Sequence, residues 1–143
     1  MKRIFDRAEW PLDRLAMAVV AIFMLPVGLQ AALAPESFYN DFPLDRGWIA
    51  ASGDAYDEHL VRDVGVLFLA LVLATLWTVV KRWPLPALAA AWLLQGILHL
   101  AYHIGHLDDL ESADKVGMVV TLAAVPILAA VALWDGLRRE RGV

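Results

Sequence analysis

The chain has no cysteine. That excludes disulfides, thiolate metal ligands and cysteine nucleophiles, so any bound metal has to be held by nitrogen and oxygen donors. Nor is there a glycine-rich phosphate loop, a serine nucleophile elbow or a His-Glu-x-x-His pair, which removes common signatures of nucleotide, ester and zinc-protease chemistry. Only four histidines occur, far fewer than membrane desaturases and fatty-acid hydroxylases use for their two irons. No internal repeat or low-complexity linker interrupts the 143 residues, which read as a single domain. Charge is sparse too: 20% of residues are charged and 60% are hydrophobic, and mean hydropathy is +0.59. A soluble domain of this size cannot hide so much apolar surface, so the composition points to a membrane.

Four apolar runs are long enough to cross a bilayer: about residues 15–34, 59–80, 85–107 and 116–134. The expected fold is therefore all-α, a four-transmembrane-helix bundle. Pro26 and Pro126 fall inside the first and fourth runs, where neighbouring helices tolerate a kink. Nine of the twelve basic residues (Lys2, Arg3, Arg7, Arg14, Lys81, Arg82, Arg138, Arg139 and Arg141) lie on one side. By the positive-inside rule that side is cytoplasmic, which puts both termini in the cytoplasm and the protein in the cell's inner, or plasma, membrane as a multi-pass chain. Trp10, Trp77, Trp83 and Trp134 would form an aromatic belt at the inner boundary. Ala32-Leu33-Ala34 resembles a signal-cleavage site, but the apolar run before it is long and Pro35 follows directly, so the first run is read as a retained helix.

The acids run the other way. Glu36, Asp41, Asp45, Asp54, Asp57, Glu58, Asp63, Asp108, Asp109, Glu111 and Asp114 belong to or border the outer side. An acidic rim attracts cations and repels anions, which argues against a nucleic-acid partner. The lipid bilayer is the expected environment; an amphipathic small molecule or quinone, a homo-oligomer or a membrane complex are the expected partners.

Residues 35–57 form a long outer loop carrying Phe38, Tyr39, Phe42, Trp48, Ile49 and Tyr56. Its aromatic content predicts an ordered segment, either a lid over the outer mouth or an anchor in the headgroup layer. The second and third runs are joined by the short turn Lys81-Arg82-Trp83-Pro84 and are expected to be antiparallel neighbours. Ser112 or Asp114 is the expected cap of the fourth helix.

The polar residues inside the runs are concentrated in two stretches. DEHLVRDVG opens the second run at residue 57, and HLAYHIGHLDD, residues 99–109, ends the third. His59 shares a helix face with Asp63, and Glu58 with Arg62. His99, His103 and His106 fall within about 60° of one another around a helix, a single stripe. Because the two runs are antiparallel, His59 should lie near the level of His106, and Asp63 near His103. Imidazole and carboxylate suit zinc, iron or copper. The stripe spans about 10 Å along the axis, too far for three histidines to share one ion. The preferred single centre is therefore His59, Asp63, His103 and His106, with Glu58 or His99 as acid/base. Arg62 counts against a metal unless Glu58 and Asp63 neutralise it. Arg62, Gln30 and Tyr102 are the remaining candidates for contact with a bound molecule, and Gln95 extends the stripe inward.

Other readings of the same residues stay open. Ionisable groups in a membrane segment are functional by default, and proton relays and quinone pockets use the same types. Histidines on two helices can hold a haem. The bland alternative is a hydrogen-bonded interhelical network in a purely structural subunit, with His106 merely interfacial.

With Tyr56, Glu58, His59, Asp63, Gly65, His99 and His103 located, the chain resembles uncharacterised small four-helix bacterial membrane proteins. In span number and loop placement it is also similar to the DoxX-like group, some members of which are tied to redox complexes. Neither resemblance implies a particular reaction or substrate. The reading is thus a membrane bundle with an outward-facing transition-metal site between spans two and three, serving redox or hydrolytic chemistry. The alternative is a metal-free quinone-binding, substrate-binding or proton-relay accessory subunit.

Overall fold

A computed structural model describes residues 10–53, 55–108 and 110–141. Lys2, Arg3, Arg7, Asp54 and Asp109, counted above, lie outside them. The elements are α1 (Leu12–Leu33), α2 (Pro35–Asp41), a single 3-10 turn (Ala50–Ser52), α3 (Glu58–Lys81), α4 (Pro86–Ile104) and α5 (Ser112–Glu140). The helices α1, α3, α4 and α5 are each long and apolar enough to cross a membrane. At a rise of about 1.5 Å per residue the shortest of them, α4, is about 28 Å long, close to the ~30 Å hydrocarbon layer. The chain is a polytopic four-helix membrane bundle.

Local chemistry sets the ends. Pro11 precedes α1 and Pro86 opens α4, positions where a missing N–H costs nothing. Asp57 starts α3 by accepting from the Leu60 N–H at 3.1 Å. At the far end of α3, Arg82 turns left-handed (φ 57°) and its N–H returns to the carbonyls of Thr78 and Val79. The last helix begins at Ser112 with Glu111 in the cap position and no side-chain cap bond. The expected cap by Ser112 or Asp114 does not form, because Asp114 pairs with Arg46 instead.

The packing runs α3–α1–α5–α4, with α1 and α5 the middle pair. Glycine makes the two closest contacts. A Cβ on Gly65 would run into the backbone of Ala31 and Ala32, so α3 and α1 approach almost backbone to backbone. A Cβ on Gly96 would stand 2.7 Å from Pro126 Cδ, which seats α4 on α5. The antiparallel helices α3 and α4 do not pack in this way, although one short turn joins them. They are the expected antiparallel neighbours, but they meet through side chains. The fully buried Trp92 side chain stands between them, parallel to Phe68 at 6.3 Å and donating its indole N–H to Thr75 Oγ1 at 2.9 Å. An indole needs more room than a glycine, so α3 and α4 are held apart.

Two arginines brace the α1–α3 pair reciprocally. Arg14, in the first turn of α1, donates to the carbonyls of Thr78, Val79 and Trp83 at 3.1–3.2 Å, capping the end of α3. Arg62, in the second turn of α3, donates to the Ala32 carbonyl at 2.7 Å, capping the end of α1. Each thus adds a charged donor to carbonyls at a helix terminus, beside the Arg82 N–H at the end of α3, and places a cation where the helix dipole favours one. Beside Arg14, the Asp135 carboxylate accepts from the Asp13 N–H at 3.1 Å and from Arg139 Nε at 2.8 Å. Sequence reading missed this tie, whose signal is an Asp near the basic end of each helix (Asp13, Asp135).

Residues 35–53 of the long connection form a strap. It leaves α1 through α2, turns at residues 43–47 with left-handed Leu44, Asp45 and Gly47, and reaches α5. There Arg46 pairs with Asp114, and the Trp48 indole lies against Gly117, where a Cβ would stand only 3.3 Å from the ring. The Trp48 N–H is directed toward Asp114 without reaching hydrogen-bond geometry. The strap therefore ties the α1–α3 pair to α5 at the acidic end of the bundle.

Candidate functional site

The buried face of α4 is Ala89, Trp92 and Gly96. Continued at the same three- and four-residue steps, that face carries His99 and His103. The histidine stripe is thus the extension of the helix's interior face, and both imidazoles are only partly exposed. Their rings meet edge to face with centroids 4.6 Å apart. Tyr102 stacks on His106 at 4.2 Å and presents an edge to His103 at 5.4 Å.

His106 departs from the expected stripe. The helix stops at Ile104 with Gly105 in the cap position, not near residue 107. His106 then folds back, its N–H on the His103 carbonyl at 3.0 Å and its Nδ1 at 2.8 Å from the Tyr102 carbonyl oxygen. It closes the helix end from the solvent side.

His59 and Asp63 are brought together, but away from the histidines of α4. His59 Nε2 lies 3.3 Å from the Asp63 carboxylate on one face of α3, with side chains 89% and 59% exposed. At 100° per residue His59 is about 180° around α3 from Phe68, the residue that faces Trp92. The expected four-residue centre therefore does not assemble: His59 and Asp63 face outward, His103 faces the bundle, and His106 caps α4. Among the described residues no group of three histidine, aspartate or glutamate side chains is placed to hold one metal ion.

Arg62 is likewise turned toward α1, with Nε on Glu58 at 2.8 Å and a terminal nitrogen on Ala32. Together with Glu36, Ser37 and Tyr56 they line a shallow cavity of about 310 Å³ under α2. The Tyr56 hydroxyl there has its pKa raised, first by partial burial and then by the Glu58 and Glu36 carboxylates. Gln30 spends its amide on Ser37 at 3.4 Å, at the edge of that cavity and apart from the histidine stripe.

One turn below His99 on α4 lies Gln95, also partly exposed. Neither the His99 ring nor the Gln95 amide has a hydrogen bond among the described residues. Nor is either sealed off, since Trp48 Nε1 is the one buried, unpartnered side-chain nitrogen or oxygen there. Two adjacent polar groups in the acidic-end half of a membrane helix are thus unpaired and reachable. An unmet polar group in such surroundings costs on the order of 1–3 kcal/mol, which a bound partner would return. Position on the helix aims them at the space beside Trp92, where α3 and α4 stand apart.

Comparison with protein-family models, with curated proteins and with solved structures gives no match.

Proposed function

We propose that the protein is a binding or accessory subunit of the cell's inner membrane, both termini cytoplasmic, whose α4 histidine stripe takes a small molecule without needing a resident metal. His99 and Gln95 hold the polar part of the ligand, and His103 braces His99. Tyr102 and His106 stack at the rim above them. The observation that carries this reading is the pairing of a reachable His99 with a reachable Gln95, neither hydrogen-bonded among the described residues. Both fit one ligand, because imidazole and carboxamide each supply a donor and an acceptor.

The i, i+4 spacing of His99 and His103 favours one further reading, two nitrogen ligands of a zinc, iron or copper ion completed from outside the chain. Purification in mild detergent without chelators, followed by elemental analysis and mass spectrometry of the organic extract, separates the two. The proposed function predicts a co-purifying small molecule lost on His99→Ala and on Gln95→Ala, with no stoichiometric metal. A near-stoichiometric metal lost on His99→Ala and His103→Ala would replace it with the metal site.

A further inference from the structure

Granted that reading of His99 and Gln95, the geometry points to the class of ligand and its route. We infer that the site is entered sideways from the bilayer, through the groove between α3 and α4, by a neutral amphiphile: a hydroxyl- or carbonyl-bearing ring on an alkyl tail.

The route follows from what is open and what is tied. At the acidic end the strap is fastened across to α5 by Arg46 on Asp114 and Trp48 on Gly117. The cap formed by His106 over Tyr102 closes the tip of α4. On the flank, α3 and α4 lack the close packing that joins α3 to α1 and α4 to α5. Trp92 and Phe68 floor this gap, stacked parallel at 6.3 Å. Above them the helical steps put Val61 and Val64 on the α3 side and Gln95 and His99 on the α4 side. Val64 is 37% exposed. An apolar groove with two polar groups on one wall matches an apolar molecule with one polar end.

The head is neutral and planar for separate reasons. The carboxylates of Glu58, Asp63, Asp108 and Glu111 border this end of the helices, which disfavours an anion. A cation would have to shed its hydration beside Gln95 and His99, which offer dipoles and no carboxylate. The floor and rim are aromatic, Phe68 on Trp92 below and Tyr102 on His106 above, and rings pack well against such surfaces. Gln95 and His99 each offer a donor and an acceptor, so a hydroxyl satisfies both at once.

The test uses the full chain in lipid nanodiscs, with tritiated 4-decylphenol and tritiated phenol as probes and empty nanodiscs subtracted. The expected result is saturable binding of decylphenol, at least about tenfold tighter than phenol and weakened about tenfold by His99→Ala, the ratio equivalent to one hydrogen bond of about 1.4 kcal/mol. Val64→Trp, which fills the groove without touching a polar group, weakens it at least as much; Val61→Trp serves if the first variant does not fold. Arg46→Ala, which frees the strap, leaves decylphenol binding unchanged. If binding depends on His99 but is equal for the two probes, insensitive to groove filling or enhanced by Arg46→Ala, the sideways route is wrong and the site stands. If neither probe shows saturable, His99-dependent binding, the site itself is wrong and this inference falls with it.

Discussion

His99 and His103 stand one helical turn apart with their rings edge to face at 4.6 Å, on the face of α4 that also carries Trp92 and Gly96. His59 and Asp63 are as close to each other on α3, yet on the opposite side of that helix from Phe68. The four histidines thus belong to different environments: two face the bundle, one caps a helix and one faces outward.

The outward pair should be dispensable. An ion pair this exposed contributes about 0–1 kcal/mol. His59→Ala and Asp63→Ala are each expected to leave the thermal midpoint in detergent unchanged within error and to leave ligand retention intact. Loss of either property would mean that the α3 face is functional.

The Gly65 contact should be the least tolerant point of the α1–α3 seam. A methyl there meets backbone atoms of Ala31 and Ala32, which cannot rotate aside. Gly65→Ala is expected to destabilise the bundle by about 1–3 kcal/mol, the usual range for overpacking. Gly53→Ala also strains a left-handed residue but meets nothing within 4 Å, so it should cost less. Thermal unfolding followed by circular dichroism ranks the two variants.

Trp92 and Thr75 should show energetic coupling. Thr75 also donates to the Leu71 carbonyl, so Thr75→Val removes two bonds and leaves the indole N–H unmet. A double-mutant cycle with Trp92→Phe is expected to give about 0.6 kcal/mol, the average for interhelical hydrogen bonds in a membrane, and no more than about 1.7 kcal/mol. A coupling near zero would show that Trp92 acts through its bulk alone.

The reciprocal arginines predict a matched pair of effects. Arg14→Ala and Arg62→Ala each remove a charged donor from helix-end carbonyls, at a cost of about 1.5–3 kcal/mol. Backbone amide exchange should rise at the end of α3 for the first and at the end of α1 for the second. Exchange rising at both ends in both variants would mean that the caps are not separable.

Much of this was legible in the sequence and some was not. The four spans follow from apolar run length, and their chemistry requires nothing beyond the bilayer to explain it. The level at which α3 faces α4 was also readable: Trp92 meets Phe68 and Thr75, which sets His99 near the height of residues 64–65. The azimuth of α3 was misread, although its signal is present. Gly65, Val72, Thr75 and Val79 are buried at steps of three, four and seven, and that stripe lies far around the helix from His59. Polar pairing within a helix says which residues touch, not which way they face. The α3–α4 gap was beyond sequence reasoning, because short turns usually join close neighbours and only the Trp92 side chain overrides that here. The strap's attachment to α5 was hidden for another reason: Arg46 and Asp114 are 68 residues apart and lie on no common element.

The most direct test of the account is nuclear magnetic resonance of the protein labelled with nitrogen-15 in its histidine rings, in nanodiscs, with and without 4-decylphenol. Assignment by single His→Gln variants gives four separate reporters. The account predicts that the His99 ring nitrogens shift on addition, His103 follows as its ring neighbour, and His59 does not move. A shift at His59 with His99 unchanged would contradict it, and so would no shift at any of the four.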